Sequence, residues 1–228
     1  MTRPVTMISV SVLLVLAVYP TMVQAQPPHS GSTRWDFELG HENDPPTGFA
    51  FSTTGEGPPG QWVVKTQPDA PSGTHVLAQV DGDPTDESRF VMAVADQPVL
   101  ANVRVSVQCK PVSGTIDQAC GVVFRYQDQD HYYLARANVL EDNVRLFKVE
   151  EGRRHQLVNW RGPVTRGQWH ELRVDAAGER IDVFWDGQQV IGTSREMSRA
   201  PGKVGLWTKS DSVTYFDDLR VESLEPSG

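Results

Sequence analysis

Apolar and polar residues follow a period of two rather than a helical period through most of the second half of the chain. The segments are about five to eight residues long, rich in β-branched and aromatic residues, and separated by Gly, Asp or Asn. They read CGVVFRYQ, HYYLARANV, NVRLFKVEEG, WHELRVDAAG, RIDVFWDGQQVIG, GKVGLWTK and TYFDDLRV. Short strands at this spacing predict an all-β sandwich or barrel. Asp186-Gly187 predicts a two-residue hairpin between Ile181–Trp185 and Gln188–Ile191.

The first half of the chain has fewer strand signals. Strands are expected at Trp62–Lys65, His75–Gln79, Phe90–Val94 and Ala101–Gln108. The stretches HENDPPTGFAF and TTGEGPPGQW are predicted as loops, because their prolines exclude a central strand. Several middle strands are apolar on both faces, which is typical of central strands packed on one side and lining a groove on the other.

The beginning of the chain has the pattern of a secretory signal peptide. Arg3 supplies the positive region, residues 8–18 the apolar region, and Val23-Gln24-Ala25 the cleavage site. We therefore divide the chain into a signal peptide (1–25), a flexible leader (26–34), one β-sandwich domain (35–223) and a C-terminal tail (224–228). We expect a protein exported to the periplasm or secreted, without membrane insertion, and monomeric.

The charge balance argues against nucleic acid as a partner. The formal net charge is −8, and Arg3 is the sole charged residue in the predicted signal peptide, so the mature protein is more acidic still. Nucleic acids and anionic membranes require clustered cations.

The chain has two cysteines, Cys109 and Cys120. In an exported protein a disulfide is the default for such a pair. The segment between them contains Pro111 and Gly114 and looks like a hairpin loop, so we expect the disulfide to close the base of a hairpin.

Several of these segments resemble the concanavalin A-like lectin/glucanase superfamily, the jelly-roll group that includes laminin-G-like domains. The narrower resemblance is to exported bacterial proteins related to the 3-keto-disaccharide hydrolase domain. The resemblance implies an antiparallel β-sandwich of jelly-roll type. It is carried by the segments GVVFRY, YY, RAN, EDN, LFK and GKVGLWT, Trp169 to Val174, FDDL and the opening Trp35–Glu38.

Evidence for catalysis in the sequence is weak. The glucanase motif Glu-x-Asp-x-x-Glu is absent: the nearest segment, from Glu179 to Asp186, lacks its spacing. His131, His155 and His170 are possible acid–base groups, but His131 and His155 are predicted in polar turns, where exposure without catalysis is the commoner case. A hydrolase or lyase acting on 3-keto-disaccharides remains an alternative, and a laminin-G-like adhesion domain is another.

Carbohydrate binding has more support, because sugars are held by aromatic platforms and planar polar groups. Arginines on central strands need a partner or a ligand, since an unpaired buried guanidinium is costly. The competing interpretation is internal salt bridges to nearby Asp and Glu residues, with the tryptophan in the core. The predicted groove residues are Arg125, Tyr133, Arg136, Asn138, Arg145, Lys148 and Trp207. An acidic or oxidised sugar would suit arginines.

The resemblance also implies a possible structural Ca²⁺, since several jelly-roll modules bind calcium between their opening and closing strands. The oxygen ligands would come from Glu38, Asp217 and Asp218, with Asp36 as an alternative to Glu38. The alternative is a solvated or hydrogen-bonded Asp pair at the start of a strand.

Overall fold

The computed structural model describes residues 31–84, 87–194 and 198–225, and these ranges form an all-β protein. Alternating and β-branched segments become strands as expected. The strands are β1 (Ser32–Trp35), β2 (Phe49–Thr54), β3 (Trp62–Thr66), β4 (His75–Gln79), β5 (Phe90–Ala95), β6 (Val103–Ser113), β7 (Ala119–Asp128), β8 (His131–Asn138), β9 (Asn143–Glu150), β10 (Arg153–Arg161), β11 (His170–Ala177), β12 (Arg180–Trp185), β13 (Gln188–Ser194), β14 (Lys203–Lys209) and β15 (Val213–Ser223).

The strands form two antiparallel sheets that pack as a sandwich, which confirms the predicted fold class. The eight-stranded sheet has the order β13-β12-β11-β6-β15-β4-β3, with β1 paired to β15. The seven-stranded sheet has the order β10-β9-β8-β7-β14-β5-β2. The predicted hairpin at Asp186-Gly187 is present and joins β12 to β13.

The main core lies between the sheets. On β6, Val103, Val105 and Val107 point inward and are buried, while the residues between them are half-buried. The central strands β7, β8 and β9 are buried on both faces, because the outer face of the seven-stranded sheet has an apolar cluster of its own. That cluster comprises Met92, Val94, Ala119, Val123, Tyr132, Leu134, Phe147, Val149 and Trp207, with Phe90 and Tyr126 packed against it.

The predicted disulfide between Cys109 and Cys120 is present, with a Cα–Cα distance of 6.3 Å. The expected hairpin is wrong. β6 pairs with β11 and β15, whereas β7 pairs with β8 and β14, so the two cysteines lie on different sheets. The connection crosses the sandwich, and the disulfide therefore links the sheets through the core.

Two strands lie where the sequence predicted turns or loops. β2 covers the last residues of the first predicted loop and the first residues of the second, and it forms the edge of its sheet, where flanking prolines are tolerated. β10 follows the tight turn at Glu151-Gly152, where both residues have positive φ, and pairs along the whole of β9. Arg153, Arg154 and His155 are therefore strand residues rather than turn residues.

The domain limits differ slightly from expectation at the N-terminal end. β1 begins at Ser32, so residues 32–34 of the predicted leader pair with β15 and belong to the sandwich. β15 ends at Ser223, which is the predicted last residue of the sandwich domain. The predicted signal peptide lies outside the described residues. Within the described ranges, no helix has the length and apolar character needed to cross a membrane.

Candidate functional site

Four of the seven predicted groove residues share the outer face of the seven-stranded sheet. The pairing register places Trp207 opposite Gly121, Gly121 opposite Arg136, and Arg136 opposite Arg145, so these residues form one row across β14, β7, β8 and β9. Asn138 lies two residues beyond Arg136 on the same face. Gly121 keeps this row close-packed, since a Cβ there would lie 3.1 Å from the Trp207 ring.

Arg136 is buried and partly neutralised. Its Nη2 donates to both oxygens of Glu141, at 3.1 and 3.0 Å, and its Nη1 donates to Asn143 at 3.1 Å. The Nη2 of Arg145 contacts the same carboxylate at 2.9 Å. Two guanidinium groups thus share a single carboxylate, and the Nε of Arg136 is buried without a hydrogen-bond partner. Burial lowers the pKa of Arg136.

Asn138 organises the turn beside this row rather than presenting a free amide. Its Nδ2 donates to Asp117 at 2.6 Å, and its carbonyl oxygen accepts from the backbone N–H of Glu141 at 3.0 Å. Lys209 also donates to Asp117, at 2.8 Å. Burial raises the pKa of Asp117, and the nearby Lys209 acts in the opposite direction.

The most unusual side chain on this face is Arg154, which sequence reasoning missed. Its guanidinium carbon lies 4.6 Å from the ring centroid of Phe90, 4.7 Å from that of Phe147 and 5.9 Å from that of Trp207. Phe90 and Trp207 are themselves stacked, with centroids 5.4 Å apart. The Nη1 of Arg154 is buried without a hydrogen-bond partner. The dipeptide Glu151-Gly152 is the sequence signal that could have located Arg154. These two residues form a hairpin turn, so a new strand containing Arg154 follows directly after them.

We call Phe90, Arg136, Phe147, Arg154 and Trp207 the Arg154 cluster. Arg136 also lies over the ring of Phe147, at 5.8 Å, so two guanidinium groups contact one aromatic ring. Burial, with the charge of Arg136 second, lowers the pKa of Arg154. The cluster therefore concentrates positive charge in an apolar setting on an otherwise acidic protein.

Tyr132 adds a neutral polar group to this region. Burial raises its pKa to about 12, so its phenol stays protonated at neutral pH. The face thus combines aromatic rings, guanidinium groups and a phenol, and groups of these kinds bind sugar rings and their hydroxyls. The buried members are Tyr132, Arg136, Phe147 and Trp207, and the half-buried members are Phe90, Arg145 and Arg154.

Arg125 lies away from the cluster and has partners for all its donors. It donates from Nε to Ala101, from Nη1 to Ser198 and from Nη2 to Gly178, each backbone carbonyl lying at 2.8 Å. Burial lowers its pKa. Its backbone is at a bulge with φ of 47°, and Gly202 packs so closely that a Cβ there would lie 2.2 Å from the Arg125 carbonyl carbon. Arg125 connects three chain segments.

Tyr133 and Lys148 are also separate from the cluster. Tyr133 stacks on Phe124 in the main core, and its hydroxyl accepts from the backbone N–H of Ser198 at 2.8 Å. Lys148 donates to Glu150 at 2.6 Å. Together with Arg125 they line a small cavity of about 180 Å³. The predicted groove residues are therefore divided between two places.

The histidines weighed as acid–base groups are all apart from the Arg154 cluster. His131 pairs with Asp128 at 2.9 Å and is exposed, and His155 is exposed on β10. His170 stacks on Trp185 and bridges Thr165 and Asp186, at 2.6 and 2.8 Å from its two ring nitrogens. These contacts attach the loop after β10 to the β12–β13 hairpin.

The three residues predicted to bind calcium lie close together, with hydrogen-bond donors around them. Glu38 accepts from the backbone N–H groups of Thr74 and His75, at 2.9 and 2.7 Å. Asp217 accepts from Ser72 at 2.9 Å, and Asp218 pairs with Arg34. Burial raises the pKa of Asp217 to about 6. The described residues contain no group of three or more acidic, His or Cys side chains arranged to bind a metal, and calcium stays a prediction.

A cavity of about 390 Å³ lies beside β1 and β2, away from every predicted groove residue. Trp35, Phe37 and Phe49 supply aromatic walls, and Pro45 and Pro46 form part of its rim. Its polar lining groups do not include a buried donor or acceptor without a partner. The Arg154 cluster differs from it in this respect.

Comparisons with known proteins agree with the fold. No family model matches the chain. A 99-residue part of the chain is 26% identical to levanase of Bacillus subtilis (strain 168), and this match covers 42% of the chain and 14% of the levanase. The resemblance to the 3-keto-disaccharide hydrolase domain stays a prediction.

Solved structures with the same architecture include a carbohydrate-binding module and a cellulose-induced protein. The carbohydrate-binding module CBM66 from Bacillus subtilis superposes with a TM-score of 0.60 over 76% of this chain and 95% of that one, at 19% identity. The cellulose-induced protein Cip1 gives a TM-score of 0.61 over 86% of this chain and 100% of that one, at 15% identity. A Bacillus subtilis protein of unknown function with a galectin-like fold gives 0.55 at 9% identity, over 78% of this chain and 90% of that one. At these identities the likeness establishes the jelly-roll fold.

Proposed function

We propose that this protein is an exported carbohydrate-binding protein whose ligand lies on the outer face of the seven-stranded sheet. The observation that carries the proposal is the Arg154 cluster, where three aromatic rings surround a guanidinium with a buried, unpaired donor. An unsatisfied buried donor is costly and is expected where a ligand completes the hydrogen bonding.

The comparisons support the same class of ligand. One structural neighbour is a carbohydrate-binding module, and the matched part of the levanase is a small fraction of that enzyme. A domain of this size that resembles part of a glycan-active enzyme suits an accessory binding role. We therefore place the protein among binding proteins rather than hydrolases.

The test is a glycan screen with residues 26–228 produced in an oxidising compartment. The panel contains levan, cellulose oligomers, uronic-acid oligosaccharides and 3-keto-disaccharides, and both binding and turnover are measured. Binding without turnover is the expected result. Hydrolysis of a 3-keto-disaccharide would instead favour the hydrolase alternative, and binding of a protein but of no glycan would favour the adhesion alternative.

A matched pair of variants locates the site. Phe90 and Phe184 are both half-buried phenylalanines with an arginine stacked on the ring, but they lie on the outer faces of opposite sheets. Phe90→Ala should weaken glycan binding at least tenfold, since stacking on one aromatic ring contributes about 0.5–1.5 kcal/mol and burial of the ring adds to it. Phe184→Ala should leave binding unchanged. Equal binding by both variants and the wild type would contradict this location.

A further inference from the structure

Arg173 can be compared with Arg154, because both arginines stack on aromatic rings but, in the described part of the chain, only Arg173 of the two has a carboxylate within ion-pair distance. Arg173 stacks on Phe184 at 3.7 Å on the other sheet, and its Nε, which is buried without a hydrogen bond, has a carboxylate oxygen of Asp175 3.5 Å away as counter-charge. Arg154 stacks on three rings, and no ion pair joins it to a carboxylate among the described residues. Arg154 therefore contacts more aromatic rings than Arg173 does, and it is the one of this pair without a counter-charge.

The charges next to Arg154 do not supply the missing anion. Glu141 already pairs with both Arg136 and Arg145. Asp117, beside the Arg154 cluster, forms an ion pair with Lys209 and accepts a hydrogen bond from Asn138. Three guanidinium groups and one carboxylate therefore lie together, so the local charge is positive although the chain as a whole has a net charge of −8.

The unpaired donors also point to an anion. The Nη1 of Arg154 and the Nε of Arg136 are both buried without partners, and both guanidinium groups contact the ring of Phe147. Like charges in an apolar setting repel each other with little screening. A bound oxyanion would pair the donors and offset the repulsion, since a planar guanidinium suits carboxylate and sulfate oxygens.

We infer that the Arg154 cluster binds an acidic group of the glycan, either a uronate carboxylate or a sulfate ester. This inference rests on the proposed function and narrows it from sugars in general to acidic sugars. Arg154 lies on β10, the edge strand of its sheet, and is half-buried, although its Nη1 is buried, so a ligand would approach its guanidinium from the open edge of this face. Phe90, the half-buried ring of the cluster, would contact the sugar ring that carries the acid, whereas Phe147 and Trp207 are buried beneath it.

The experiment compares glycans that differ in charge alone. Oligosaccharides of galacturonate, glucuronate and mannuronate are titrated beside their methyl esters, and sulfated galactans beside unsulfated galactans, by isothermal titration calorimetry at two salt concentrations. We expect at least one acidic glycan to bind tenfold or more tightly than its neutral counterpart, and to lose affinity as salt rises. Whether the carboxylated or the sulfated series binds identifies the source of the oxyanion.

Two matched variants connect the preference to Arg154. Arg154→Gln should reduce the affinity for the acidic glycan to that for its neutral counterpart, whereas Arg173→Gln should leave the preference unchanged. Arg154→Lys should retain part of the preference, because the charge remains while the planar fork is lost. Melting temperatures are measured for each variant, so that a folding defect is recognised.

The outcomes separate the inference from the proposed function. If neutral glycans bind as tightly as their acidic counterparts, and Phe90→Ala weakens that binding, the carbohydrate site stands and the inference is overturned. An acid preference that survives Arg154→Gln in a folded variant also overturns it. If no glycan of either kind binds, both proposals fail.

Discussion

Removing the Cys109–Cys120 disulfide should lower the free energy of unfolding by about 3 kcal/mol. The two cysteines are 11 positions apart, so the crosslink closes a loop of roughly a dozen residues. The loss of loop-closure entropy in the unfolded chain is then about 9–10 cal/mol/K, which at 25 °C gives about 3 kcal/mol. Both side chains are fully buried between the sheets. A Cys109→Ala/Cys120→Ala variant should lose somewhat more, because two buried sulfur atoms are also removed.

Urea denaturation followed by tryptophan fluorescence measures this effect on the oxidised and the reduced protein. We expect the transition midpoint to fall on reduction, and the m-value to rise slightly, because the uncrosslinked unfolded chain exposes more surface. The double-alanine variant is the control, since reductant should not change its midpoint. A loss below about 1 kcal/mol on reduction would refute the entropic reasoning and indicate that the reduced, unfolded chain already keeps this loop compact.

Three further results are expected. Arg125→Leu should destabilise the protein by about 3 kcal/mol or more, because three backbone carbonyls lose their donor. Arg180→Leu, on the exposed end of β12, should change the free energy of unfolding little. Chemical denaturation of both variants checks this. Burial raises the folded pKa of Asp217 to about 6 against an ordinary 3.8, so this residue binds its proton more tightly when folded, and its own contribution to stability should rise, by at most about 3 kcal/mol, as the pH falls from 7 to 4. This gain is measured as the difference between wild type and Asp217→Asn over that pH range, and a flat difference would contradict it. If the predicted Ca²⁺ binds beside Asp217, EDTA should lower the melting temperature at pH 7; an unchanged value would remove that prediction.

The alternation of residues predicted most of the fold because half-buried strands impose it directly. β6 and β11 carry one inward face each; β11 lies within a predicted segment, whereas β6 continues beyond the predicted Ala101–Gln108 to Ser113, into the predicted hairpin loop. Partner choice was harder, since alternation does not say which strands pair. For this reason the sequence predicted a hairpin closed by Cys109 and Cys120, whereas the intervening chain crosses from one sheet to the other.

The candidate site was predicted in part. Arg136 and Arg145 were selected because a charged side chain on a buried strand needs an explanation, and Trp207 because sugars bind aromatic platforms; the three residues do share one face. Arg125 met the same criterion, but its partners are backbone carbonyls, which the sequence cannot indicate. Arg154 was missed because a charged pair after Glu151-Gly152 resembles a solvated turn.

The position of β15 constrains how the sandwich can form. This last strand lies between β6 and β4 and also pairs with β1, so it joins early and late parts of the chain within one sheet. An N-terminal fragment that stops before Val213 would leave β4 and β6 without their common neighbour. The sheet therefore cannot be completed during synthesis until residue 223 has emerged, and folding that depends on such distant pairings is slow. A chain that completes this sheet only when its last strand is available would suit the export that we propose, because a translocation channel passes unfolded chains.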